Sequence, residues 1–178
     1  MYSSKRSTMP SGCLRMTMSE PQFDDLYREI ILDHFRRPRN RGALPSPTQH
    51  AEGMNPVCGD SIELDLLLHA GAIDAIAFDG QGCAISQSSA SLLTERLKGR
   101  TIDEARRVME MFRAMLIDGA LPDRELGDLE AFEGVAKLPA RVKCALLSWN
   151  VLQEGLDQAG ASATPPATAA TAAPGGKS

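Results

Sequence analysis

Between Ser61 and Phe78 the chain reads at a period of two, and this constrains its fold more than any other feature. Ile62, Leu64, Leu66 and Leu68 fall at every second position, interleaved with Glu63, Asp65 and Leu67. Side chains two apart share one face of an extended chain, so the run predicts a half-buried strand. Gly71 permits a turn, and Ile73 to Phe78 predicts the returning strand of a hairpin. A further short strand is expected over Thr48 to Glu52, with a turn at Asn55-Pro56.

Helical spacing surrounds this hairpin. Ser19, Pro21 and Gln22 open a helix in which Phe23, Leu26, Tyr27, Ile30, Ile31 and His34 recur every three or four residues, and Pro38 and Gly42 end it. Gly80-Gln81-Gly82 is expected to break the second hairpin strand. A helix then runs from Ala84 to Lys98 with Ile85, Leu92, Leu93 and Leu97 on its apolar side. Thr101 and Glu104 have capping-box spacing and open a helix reaching about Ile117. After a loop over Gly119 to Asp123 come a short helix from Leu126 to Phe132 and a final helix from Pro139 to about Leu156. Strands precede most helices. The expected class is therefore α+β, a small antiparallel sheet of about three strands covered on one side by helices.

The 178 residues suit one domain with tails. Residues 1–19 carry Lys5, Arg6 and Arg15 and no acid, and they read as a disordered extension; a presequence is the alternative. The domain is expected over 20–157. The Ala-, Pro- and Thr-rich residues 158–178 read as a disordered tail. No run approaches the roughly 18 apolar residues of a membrane span. No apolar h-region marks a secretory signal, so the expected location is the cytoplasm. The formal charge is −4, and residues 22–155, with 15 basic and 21 acidic side chains, carry −6. That balance argues against nucleic acid as a partner.

Cys13 falls in the extension, which leaves Cys58, Cys83 and Cys144. Cys58 precedes the first hairpin strand and Cys83 follows the second, so both are expected at one edge of the sheet. Cys83 stands at a helix start, where free N–H groups favour a thiolate. Arg141 and Lys143 bring positive charge beside Cys144. Taken singly, each cysteine is equally readable as a small buried hydrophobe, and a disulfide between two of them is a further alternative. Taken together, with Gly, Pro or charge beside each, they favour a thiolate cluster. Cys58 and Asp60, two apart at a strand start, put both side chains on one side, making Asp60 the candidate fourth ligand. Three thiolates and a carboxylate suit tetrahedral zinc and leave two surplus negative charges, which Arg141 and Lys143 are placed to offset.

Three motifs, in order, carry a family resemblance: Asn55-Pro56-Val57-Cys58-Gly59-Asp60; Gly82-Cys83-Ala84-Ile85-Ser86 with Ser89-Ala90-Ser91; and Leu138-Pro139-Ala140-Arg141-Val142-Lys143-Cys144. They resemble the NifU/IscU-like iron–sulfur assembly proteins, over most of residues 22–156, and most closely the SufU branch. Lys143 stands where the IscU branch typically carries His, and residues 100–134 look like the insertion of the SufU branch. Ser88 departs from a commonly small Ala. The resemblance implies a zinc-dependent sulfur carrier, of sulfurtransferase type, that accepts persulfide sulfur from a cysteine desulfurase of the SufS type and relays it to downstream cluster-assembly proteins. It implies Cys58, Asp60, Cys83 and Cys144 as zinc ligands. The Gly-flanked loop of Cys58, free to hinge at Gly59, makes Cys58 the expected sulfur acceptor, with Arg141 and Lys143 as charge support. The alternative is a scaffold holding iron or a nascent [2Fe–2S] cluster, since the same thiolates serve both. A structural zinc domain fits less well, because the ligands are dispersed and one is a carboxylate.

Overall fold

A computed structural model describes residues 21–162, and side chains from residue 25 to residue 160. The alternating run is the middle strand of a three-stranded antiparallel sheet. β1 (Gln49–Asn55), β2 (Asp60–His69) and β3 (Ala72–Gln81) lie in the order β1-β2-β3. Ile62, Leu64 and Leu66 are completely buried, while Glu63 between them is exposed. Across the register Leu64 meets Ala51 and Phe78, and Leu66 meets Ile76, so one face of all three strands builds the core. Burying each such side chain contributes about 1.5–3 kcal/mol. The opposite face keeps Glu52, Met54 and Asp79 exposed.

Two strands exceed their expected lengths. β1 runs on from Glu52 to Asn55, which pairs with Asp60. β3 is not broken at Gly80 but continues to Gln81. Gly80 has φ 136°, and a Cβ there would sit 2.1 Å from the Ser61 carbonyl oxygen. The absent side chain is what lets β3 stay paired with β2. Ala70 and Gly71, both at positive φ, close the β2–β3 hairpin. The other edge of β3 is covered by the segment after α1: Phe78 N–H donates to Asn40 O (3.0 Å) and Gly42 N–H to Phe78 O (2.8 Å).

The helices are α1 (Pro21–Arg36), α2 (Ala84–Leu97), α3 (Ile102–Arg113) and α4 (Pro139–Ser162). The expected one-sided α2 is instead a central helix, buried at ten positions that include Ser86, Gln87, Ser88, Ser89, Ser91 and Thr94. Several of its hydroxyls find partners inside. Ser89 Oγ donates to Ala145 O (2.6 Å) and accepts from Trp149 Nε1 (3.1 Å), and Ser91 Oγ meets His34 Nδ1 (2.8 Å).

The capping box forms at Thr101 and Glu104. The helix it opens keeps α geometry only to Arg113, then widens into a π turn over Ala114–Asp118 that Gly119 closes at φ 68°. In place of the short Leu126–Phe132 helix, 3-10 turns extend over Arg124–Lys137, kinked at Gly127 (φ 56°). α4 continues past Leu156 to Ser162, so it takes in the first residues of the expected tail. The extension expected over 1–19, with Cys13 and the Ser19 helix start, and the remainder of that tail lie outside the described residues. Phe112 stacks on Trp149 (4.7 Å) and meets Phe132 edge-on (5.6 Å), joining α3, α4 and the 3-10 segment. No helix among the described residues is long and apolar enough to cross a membrane.

Candidate metal centre

Three segments remote in sequence meet at one end of the sheet. The first is the four-residue turn Pro56–Gly59 between β1 and β2. The Asn55 carbonyl accepts the N–H groups of Cys58 (3.3 Å) and Gly59 (2.8 Å), and Gly59 takes φ 71°, which favours glycine. Cys58 is exposed on this turn. Buried Asn55 organises it as an Asx turn: its Oδ1 accepts the Val57 N–H (3.1 Å) and its Nδ2 reaches Cys58 Sγ (3.5 Å). In the sequence Asn55 is legible only as part of the Asn55-Pro56 turn. The Asx-turn habit of Asn was the signal for its further contact with the thiol.

Asp60 opens β2 and is 2% exposed. Its carboxylate turns to the second segment, the start of α2. Oδ1 accepts the Cys83 N–H (3.0 Å), and Oδ2 lies 3.5 Å from Cys83 Sγ. Cys83 is the N-cap of α2 in extended conformation, so the positive end of the helix dipole faces both groups. Gly82 makes the approach possible, because a Cβ there would sit 2.8 Å from the Asp60 carboxylate and 2.7 Å from Ser86 Oγ. The Ser86 hydroxyl is buried with no hydrogen-bond partner among the described residues.

The third segment is the start of α4. Cys144, in its second turn, is completely buried, with Sγ 3.1 Å from Cys58 Sγ and 3.7 Å from the Ala140 carbonyl. Burial first, then hydrogen bonding with Cys58 and Asp60, pushes its thiol above the ordinary cysteine range, so a cation entering here must displace a proton. Arg141, one turn earlier and exposed, points back at the cluster. A hydrogen bond to Cys144, then the Cys83, Cys144 and Cys58 charges, raise its own pKa. Lys143 is exposed on the same turn and has no hydrogen bond or ion pair to the sulfurs among the described residues.

The ligand atoms of Cys58, Asp60 and Cys144 all lie within 4.8 Å of one another. Cys83 joins through its contact with Asp60. Ligands of one tetrahedral zinc, with Zn–S of about 2.3 Å, stand roughly 3.8 Å apart. The donor set thus fits a single thiophilic cation, with Arg141 against the surplus negative charge.

Residues 26–158 match the NifU-like N-terminal domain family. Over 134 residues the chain is 42% identical to the zinc-dependent sulfurtransferase SufU of Bacillus subtilis, covering 75% of this chain and 90% of that protein. It is 36% identical over 140 residues to the iron–sulfur cluster assembly scaffold protein IscU of Streptococcus pyogenes, covering 78% and 87%. Among solved structures, a putative iron–sulfur cluster assembly scaffold protein for the SUF system from Fervidobacterium islandicum superposes with a TM-score of 0.69 at 35% identity, over 72% of this chain and 94% of that one. The N-terminal part of a nitrogen-fixing NifU-like protein from Brucella abortus superposes at 0.73 with 26% identity, over 79% and 98%.

Proposed function

This chain belongs to the family of NifU-like N-terminal domains, an iron–sulfur cluster assembly family, and on that premise we propose that it is a zinc-dependent sulfur carrier. It accepts sulfur from the persulfide of a cysteine desulfurase, of the SufS type, and passes it to downstream cluster-assembly proteins in the cytoplasm. The observation that carries this reading is the meeting of an exposed Cys58, on a four-residue turn, with a buried Asp60 and a buried Cys144 within 4.8 Å.

Cys58, Asp60, Cys83 and Cys144 would hold the zinc. When bound, zinc supplies the pull that keeps these thiols ionised at neutral pH. The rest falls to the chain. The Cys58 thiolate attacks the terminal sulfur of the donor persulfide. A new S–S bond forms at Cys58, the donor's S–S bond breaks, and the donor cysteine leaves as a thiolate with the bonding pair. The proton of a protonated persulfide goes to solvent or to that departing thiolate. Arg141 faces the sulfurs from outside and offsets the charge they gather; Lys143 adds to the positive field of the same turn. Asn55, whose side chain accepts the Val57 N–H and reaches Cys58 Sγ, holds Cys58 in place on the turn.

Incubation with a desulfurase and 35S-labelled cysteine tests this. Label should accumulate on the wild-type chain and be lost in Cys58→Ala, with desulfurase binding retained. Equal labelling of Cys58→Ala would overturn the assignment. The relatives named IscU support a second reading, a scaffold for a nascent [2Fe–2S] cluster. Anaerobic purification decides between them: a colourless protein with one zinc supports sulfur transfer, and a stable brown protein with two irons and two sulfides supports the scaffold.

A further inference from the structure

At the other end of α2, about 20 Å from Cys83 by helical rise, lies a cavity of about 470 Å³ that sulfur transfer does not use. Buried Leu92, Leu126 and Leu129 form part of its wall, and the kink at Gly127 gives the wall its shape. Its charged lining is three cations, Arg96, Lys98 and Arg100, against two carboxylates, Glu95 and Asp128. Among the described residues none of the three has a carboxylate within ion-pair distance.

These cations are held in place by the main chain. Arg96 donates one Nη to the Glu125 carbonyl, and Arg100 Nε donates to the Arg96 carbonyl (2.9 Å). The Lys98 and Arg100 N–H groups satisfy the carbonyls of Thr94 and Leu97, which offsets the negative end of the α2 dipole. Each guanidinium is thereby oriented, while the Lys98 ammonium and the Arg100 Nη groups stay available. Arg96 Nε is buried with no acceptor among the described residues. Burial and then the Arg100 charge lower the Arg96 pKa, and the more distant Glu125 and Asp128 carboxylates only partly oppose them.

We propose that this cavity is a binding site for a phosphate group, set between Arg96, Lys98 and Arg100. Guanidinium pairs suit phosphate oxygens, and a volume of this size accommodates a small molecule rather than an ion alone. Glu95 and Asp128 complete the lining. They accept hydrogen bonds from hydroxyl groups, so a phosphate monoester carrying hydroxyls fits better than inorganic phosphate. The inference does not depend on the sulfur-carrier reading.

Calorimetric titration of the zinc-loaded full chain tests it, with glycerol 3-phosphate and inorganic phosphate as separate probes and sodium chloride at equal ionic strength as control. Saturable one-to-one binding of a phosphate probe is expected. Arg100→Gln should weaken it about tenfold or more, as loss of a charged hydrogen bond does, and the exposed Lys98→Gln about fivefold. If Arg100→Gln fails to fold, Lys98→Gln decides. An ester binding more tightly than inorganic phosphate assigns the site to esters; equal binding assigns it to the free ion. No saturation with either probe, chloride matching both, or binding unchanged in the variants would overturn the proposal.

Discussion

The Phe112–Trp149 stack and the cysteine corner are both buried parts of one domain, yet they are built from opposite materials. In the stack, fully buried rings 4.7 Å apart fill space with carbon, and the one indole N–H is bonded to Ser89. At the corner the most buried groups are a carboxylate and a thiol, and a glycine stands where any Cβ would collide. The first region draws its stability from volume and apolar area. The second depends on polar partners that must all be present, and on the proposed reading a bound cation would be the strongest of them. Damage should therefore separate: changes in the stack should lower stability and spare the metal, while changes at the corner should weaken metal binding and leave the metal-free fold little altered.

Phe112→Ala should give the largest loss of stability, about 3–5 kcal/mol, because its cavity lies among fully buried neighbours. Chemical denaturation measures the loss, and zinc content per chain should stay unchanged. Removal of zinc by a chelator comes next. It should lower the melting temperature of the wild type, because the metal ties three distant segments together, and leave a Cys144→Ser variant nearly unmoved. An unchanged wild-type melting curve would count against the metal. Gly82→Ala should barely shift the melting of the metal-free chain. It should weaken zinc binding about tenfold or more, since the added methyl pushes on the Asp60 carboxylate; a competition titration with a chromophoric chelator reads this.

The smallest effects belong to two histidines outside both regions. A hydrogen bond donated to the Asp65 carboxylate raises the pKa of half-exposed His50. Its contribution is full below about pH 6.5 and fades as the pH rises through the raised value. Burial lowers the pKa of His34. Its contribution holds above about pH 6.5 and is lost as the pH falls through the lowered value. NMR titration of the two imidazoles should show them on opposite sides of that reference.

What could be read from the chain beforehand was local. The period of two in β2 and the Thr101–Glu104 capping box need only neighbouring residues, and both appear as expected. Hairpin topology points Cys58 and Cys83 to one sheet edge, and the two-residue spacing adds Asp60 to Cys58, whereas nothing local in the sequence places Cys144 beside them. β1 was underestimated for a tertiary reason. Its inner face carries Gly53, where Val151 of α4 occupies the space of a side chain, with its Cγ2 only 2.5 Å from a Cβ built there, so no apolar alternation is written in Gln49–Asn55. The serines of α2 hid its central place, because their burial depends on α1 and α4 supplying partners such as His34 and the Ala145 carbonyl. In the Arg124–Lys137 turns the buried Leu126, Leu129, Phe132 and Val135 recur at every third residue, the 3-10 period, whereas a helix reading expects spacings of three and four.

The turn that bears Cys58 is tied down at both roots, where Asn55 and Asp60 sit opposite each other in the ladder. Cys58 is two residues from Asp60, so even a fully straightened leash would carry its Cα no more than roughly 7 Å from that anchor. An arm so short cannot fish for cargo. On the sulfur-carrier reading, the donor must do the travelling and bring its sulfur to this corner.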